Sequence, residues 1–132
     1  MILSRKRILF CVTFFLLLIG LIVLMVYLKS VADYKKAVKE TTFSEINISS
    51  IPDGIYIGEY DVNFVYAKVE VTVQNGAITK IDILEHKNGR GKPAEIIVDK
   101  MIEQQKIDVD VISGATNSST VIKKAVENAL DK

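Results

Sequence analysis

The sequence predicts an α+β fold: a small antiparallel sheet packed by two helices and preceded by a single transmembrane helix. Three observations carry this reading. Ile8 to Leu28 is an apolar run without a charged residue. Phe64 to Val73 alternates apolar and polar residues and leads into Asn75-Gly76, the pattern of a half-buried hairpin. Two later segments repeat apolar residues at helical spacing, first Ala94, Ile97, Val98, Met101 and Ile102, then Val121, Ile122, Ala125, Val126, Ala129 and Leu130. A chain of 132 residues holds one such domain beside an anchor. The expected division is a basic N-terminus at 1–7, a membrane span at 8–28, a linker at 29–50 and a folded domain at 51–132.

The span comes first. At ~1.5 Å per residue, Ile8 to Leu28 matches the ~30 Å hydrocarbon core of a bilayer. A lone apolar segment satisfies its backbone in lipid only as a helix. Arg5-Lys6-Arg7 precedes it, which by the positive-inside tendency keeps the N-terminus in the cytoplasm and the C-terminal domain outside. Lys29, Lys35 and Lys36 oppose this, but they are spread out and Asp33 lies among them. Ser30-Val31-Ala32 offers small residues for a signal peptidase, yet the run exceeds the ~7–15 residues of a secretory apolar region, so an uncleaved anchor is expected. Lys29 to Ser50 is polar and weakly periodic, read as a helical extension that becomes a tether.

The domain opens at Asp53-Gly54 with a strand over Ile55 to Tyr60. In the next strand Val65, Ala67, Val69, Val71 and Val73 share one face. A two-residue turn at Asn75-Gly76 would set Val71 against Lys80. A three-residue loop, Asn75-Gly76-Ala77, sets Val71 against Ile81 and Val69 against Ile83. Register follows the buried face, so the longer loop is expected, with a bulge at Gly76. Ile78 to Glu85 is the return strand. His86 to Pro93 reads as a polar, glycine-rich loop holding His86, Lys87, Arg90 and Lys92. Pro93 suits the first position of a helix ending near Lys106. Asp108 to Val111 alternates as a short strand would.

Charge and composition exclude several function classes. Arg5, Lys6 and Arg7 are the only bases before residue 29, leaving fourteen bases against sixteen acids in the remainder. A near-neutral domain without a basic stripe argues against nucleic-acid binding. Cys11 is the only cysteine and lies in the apolar run, and His86 is the only histidine. No thiol pair or histidine-based metal site is available, so redox chemistry requires a bound cofactor. Asp108 and Asp110 lack the polar partners of an acid/base pair; Asp108 reads as solvated. The glycine loop is not G-x-x-x-x-G-K-[ST], and Ser113 lacks the setting of a hydrolase nucleophile.

The informative stretch is Asp110-Val111-Ile112-Ser113-Gly114-Ala115-Thr116, followed by Asn117-Ser118-Ser119 and the last helix, Ser119 to Leu130. Asn117, Ser118 or Ser119 is expected to cap that helix. A glycine turn entering a helix N-terminus presents amide N–H groups to an anion, most often a phosphate. The same residues also describe an ordinary loop before a capped helix, and the residues alone leave both readings open.

The D-V-I-S-G-A-T sequence, with its trailing serines, resembles the signature of the FMN-binding domain family. That family includes the C subunit of the sodium-translocating NADH:quinone oxidoreductase, the G subunit of the Rnf-type complex and small membrane-anchored bacterial flavoproteins. The resemblance covers Gly54 to Lys132. It implies FMN as cofactor, joined through its phosphate to Thr116 by a dedicated flavin transferase that reads Asp110. Ser113, Gly114, Ala115 and Ser118 would complete the cofactor turn, and His86 and Arg90 would approach the isoalloxazine. Also implied is an electron-transfer component rather than a self-contained enzyme, working with a redox partner protein or a quinone-linked donor. Two alternatives stand beside it: a module holding FMN non-covalently, and a cofactor-free, membrane-tethered interaction domain. The chain lacks the extra segments of the respiratory-complex subunits.

Overall fold

The computed structural model describes residues 4–87 and 92–131. It divides into two compact units, Met1–Lys35 and Lys36–Lys132. From Arg5 onward the first unit belongs to α1, Arg5–Glu40. Its apolar side chains from Ile8 to Leu28 are exposed, Leu17 at 73% and Phe10 at 71%. This is the one helix among the described residues long and apolar enough to cross a membrane, by length and composition.

The second unit is the expected α+β domain. β1 (Gly54–Asp61), β2 (Tyr66–Gln74) and β3 (Ala77–Lys87) form an antiparallel sheet in that order. The central strand buries Ala67, Val69, Val71 and Val73 completely, because its strict alternation puts every second side chain on one face. α3 (Thr116–Leu130) covers this face over β1 and β2, and α2 (Ile97–Gln104) lies against β3.

The β2–β3 register pairs Val71 with Ile81, Val69 with Ile83 and Glu70 with Asp82, as the buried face requires. The turn that delivers it differs from expectation. Gln74 pairs with Ala77, leaving a two-residue turn in which Asn75 and Gly76 both take positive φ, 53° and 71°. Positive φ at both central positions is the type I′ signature that matches strand twist. The extra residue sits farther along, at Thr79, where pairing steps from Val73–Ile78 to Thr72–Lys80. Ile78 and Ile81 are three apart, and one strand face admits both only if a bulge absorbs a residue between them.

A second bulge, at Leu84, does the same for Ile83 and His86. Pairing steps from Val69–Ile83 to Lys68–Glu85 and then Ala67–His86. His86 is therefore the last inward residue of β3, not the first residue of a loop, and its side chain is 2% exposed. Residues 88–91, including Arg90, lie outside the described residues.

Other local expectations change for physical reasons. The predicted Ala94–Lys106 helix opens as a 3₁₀ turn, Lys92–Ile96, and becomes α-helical only at Ile97. It stops at Gln105, whose φ of 53° ends the helix in the left-handed region. The Gln105 side chain then acts as a strand partner for Ile78: Oε1 accepts from Ile78 N at 2.8 Å and Nε2 donates to Ile78 O at 2.8 Å. Asp108 to Val111 forms no strand.

The stretch after α1 lies along α3. The Ser44 amide donates to Glu127 Oε1 at 2.6 Å, and Lys124 donates to Thr42 O and to Glu127 Oε2, each at 2.8 Å. The Phe43 ring lies 4.6 Å from Lys123 Nζ, a cation–π distance. Glu127 is 1% exposed, and these partners satisfy a carboxylate that burial would otherwise penalise.

α3 approaches β1 closely at Gly58. A Cβ there would lie 2.2 Å from Ala125 O and 2.3 Å from Ala129 N, both backbone atoms. Ala125 and Ala129 are themselves small and fully buried. Helix and strand thus meet through residues with almost no side chain, and backbone cannot swing aside as a lysine would. Gly58→Ala should displace α3 and destabilise the domain by about 1–3 kcal/mol or more, read as a lower midpoint in thermal or urea unfolding. Gln105→Ala, which leaves both polar groups of Ile78 without their partner, should cost about 1–3 kcal/mol in the same measurement.

Candidate functional site

The S-G-A-T residues form a tight turn entering α3. Ala115 N donates to Ile112 O at 2.9 Å, closing Ile112-Ser113-Gly114-Ala115. Gly114 has φ +81°, the value that the third residue of a type II turn requires and that glycine adopts without strain. The space outside it is open, with no atom within 4 Å of an added Cβ. Ser113 and Gly114 are exposed and Ala115 is buried. Thr116 is the first residue of α3 and is exposed, while Ser118 is buried. Asp110, two residues before the turn, is exposed.

Capping differs from expectation, and the difference matters chemically. Ala115 occupies the cap position, and no side chain accepts from the first-turn amides. Asn117, Ser118 and Ser119 lie inside the helix. Ser119 and Thr120 instead turn back, donating to the carbonyls of Ala115 at 2.7 Å and Thr116 at 2.9 Å. No acidic residue stands in the first turn. The amides of Thr116, Asn117 and Ser118 thus mark the positive pole of a fifteen-residue helix, uncompensated by a carboxylate. An anion is the ligand this arrangement favours, with the Thr116 hydroxyl beside it.

Asp108 is solvated as expected, its side chain 72% exposed, but it also has a partner. Its Oδ1 accepts from Lys123 Nζ at 2.6 Å, and the Lys123 side chain is 6% exposed. This pair ties the segment before the turn to the second turn of α3.

Ser113, Gly114 and Ala115 lie in the turn, and Thr116 and Ser118 lie in the first helical turn that follows it, Ser118 buried. His86 belongs to another cluster. Its Nδ1 lies 3.2 Å from Glu95 Oε1, and Lys92 Nζ lies 3.2 Å from Glu95 Oε2. Burial pushes the Glu95 carboxyl up, but hydrogen bonds from His86 and Lys92 outweigh it and hold the carboxyl below its ordinary value. Sequence reasoning took Ser119 only as a candidate cap and did not single out Glu95. Ser119 carried a signal, since it stands three and seven residues before Ile122 and Val126 on the buried stripe. Glu95 carried none, because its partner reaches it only through the Leu84 bulge.

A carboxyl whose folded-state pKa is lowered contributes stability above its unfolded pKa and loses that contribution as pH falls through the folded value. The domain should therefore lose stability as pH drops through the ordinary carboxyl range and on through the lowered Glu95 value. Glu95→Gln should show a shallower loss over that window in thermal melts.

A comparison with protein families finds the FMN-binding domain over residues 66–131. No curated protein and no solved structure matches the chain. The matched segment holds β2, β3, α2 and the S-G-A-T turn with α3. FMN, the cofactor this domain indicates, carries a phosphate monoester. That group fits an uncapped helix N-terminus reached through a glycine turn with open space outside it. The match spans half of the chain, and the chain belongs to the FMN-binding domain family.

Proposed function

We propose that the chain is a membrane-anchored flavoprotein that relays electrons through FMN held at the S-G-A-T turn, with the FMN phosphate esterified to Thr116. One observation carries the assignment of Thr116. Its exposed hydroxyl stands at the first position of a helix whose free amides favour a phosphate. Gly114 keeps the outer side of the turn open, Ser113 and Ser118 flank the hydroxyl in sequence, and exposed Asp110 is available to the flavin transferase that reads it. FMN, when bound, supplies one-electron and two-electron chemistry.

The chain's own residues supply position and charge. The helix pole and Thr116 fix the phosphate end. His86 and Arg90 are assigned by resemblance to the isoalloxazine end. With its ring 2% exposed, His86 reaches a flavin there only if the flavin displaces atoms that now cover it. Arg5-Lys6-Arg7 before the apolar helix supports an orientation with the domain outside the cytoplasm. A donor in or at the membrane and an acceptor outside complete the relay.

In-gel flavin fluorescence under denaturing conditions tests this reading, on full-length protein co-expressed with a flavin transferase. The wild-type band should fluoresce, Thr116→Ala should be dark, and Asp110→Ala should lose most of the signal. A dark wild-type band from a yellow preparation would replace the covalent reading with a non-covalent FMN module. A colourless preparation would sink the electron relay. Protease added outside intact cells or spheroplasts should remove the domain if it faces outward.

A further inference from the structure

The residue holding the attachment turn in shape is not in the turn. Ser119 is 0% exposed and its hydroxyl makes two hydrogen bonds. It donates to Ala115 O at 2.7 Å and accepts from Ile112 N at 3.0 Å. Ile112 and Ala115 are the first and last residues of the turn, already joined by Ala115 N to Ile112 O at 2.9 Å. A single buried oxygen therefore bridges both ends of the loop whose next residue is Thr116. Its one proton and an accepting lone pair are both used, so alanine can replace neither bond.

Thr120 provides a contrast one residue on. Its hydroxyl donates to Thr116 O at 2.9 Å, the same backward bond within the helix, with no link to the turn. The distinguishing feature of Ser119 is thus its reach to Ile112. Ser113, Gly114 and Thr116 are exposed, so neighbouring side chains do little to hold the loop. Its shape rests on Gly114, on the turn's own hydrogen bond and on Ser119.

We propose that Ser119 is a positioning residue for flavin attachment, fixing the turn so that the Thr116 hydroxyl is presented to the transferase in one geometry. This rests on the reading of Thr116 as the attachment site. In the step it serves, a bond forms between Thr116 Oγ1 and the FMN phosphorus. A phosphoanhydride P–O bond breaks in the donor, flavin adenine dinucleotide (an anhydride of FMN). The hydroxyl proton is lost, AMP leaves and nothing is oxidised or reduced. Ser119 touches neither reacting atom. Its contribution is the orientation of a substrate group, and small misplacements are expensive in rate.

The test uses the full-length chain in detergent, incubated with a flavin transferase and flavin adenine dinucleotide. Initial rates of covalent flavin incorporation are followed for wild type, Ser119→Ala, Ser119→Thr, Thr120→Ala and Thr116→Ala. Amide hydrogen exchange at Ile112 and thermal midpoints are recorded before labelling. Ser119→Ala should label roughly tenfold more slowly and lose exchange protection at Ile112. Thr120→Ala should lower the midpoint comparably but keep both the wild-type rate and the Ile112 protection. Ser119→Thr, which keeps the hydroxyl, should recover rate in step with protection.

A Ser119→Ala variant that labels at the wild-type rate despite losing Ile112 protection would overturn the proposal. So would equal slowing by Thr120→Ala, which would reduce the effect to helix stability. An unlabelled wild type would overturn the assignment of Thr116 itself, and the proposal with it. Labelled wild type beside unaffected Ser119→Ala would remove only the positioning role.

Discussion

The approach of α3 to the sheet at Gly58 is the constraint on which the domain's architecture depends. Strand backbone and helix backbone come within the distance of a single methyl group. Glycine on the strand and two alanines on the helix make that distance reachable, and the neighbouring apolar side chains of β2 close over it. α3 is packed along most of its length, with eleven buried residues among its fifteen. A helix seated this firmly gives its first turn a fixed direction. The site at Thr116 depends on that seating, since a frayed N-terminus would present neither a defined set of amides nor a defined hydroxyl.

The periodicity of apolar residues made the fold legible in the sequence. Alternation in β2 named the buried face, and requiring β3 to match it selected the observed partners of Val69 and Val71. The placement of extra residues was less legible. Asn75-Gly76 carries the sequence of a two-residue turn, and the structure keeps that turn and moves the irregularity to Thr79. Two inward residues three apart in a strand signal such a bulge, and β3 contains the pattern twice, at Ile78–Ile81 and Ile83–His86. The first corrects a loop length. The second turns an apparent loop histidine into a covered one beside Glu95.

The candidate site shows the same division. The S-G-A-T turn and the helix after it could be read from glycine, small polar residues and an apolar stripe. The direction in which the serines bond could not. Asn117, Ser118 and Ser119 have capping chemistry, yet they sit beyond the cap, and backward bonding by Ser119 and Thr120 leaves the helix pole open. Nor could the sequence show that Lys123, Lys124 and Glu127, on the polar side of α3, meet Asp108 and residues 42–44 instead of water. Those contacts join positions far apart in the chain and obey no local period.

The contacts of residues 42–44 bear on where this domain can be cut from α1. The family match starts at Tyr66, inside the sheet. A recombinant fragment begun there would lack β1, expose one edge of β2 and leave the Ala125–Ala129 surface without the strand that fits it. Beginning at Gly54 would restore the sheet but strip Glu127 of the Ser44 amide and Lys123 of its aromatic neighbour. The compact region starts upstream, at Lys36. Expression trials and evolutionary domain shuffling face the same boundary: the smallest transferable piece carries its own collar of residues from the foot of the first helix.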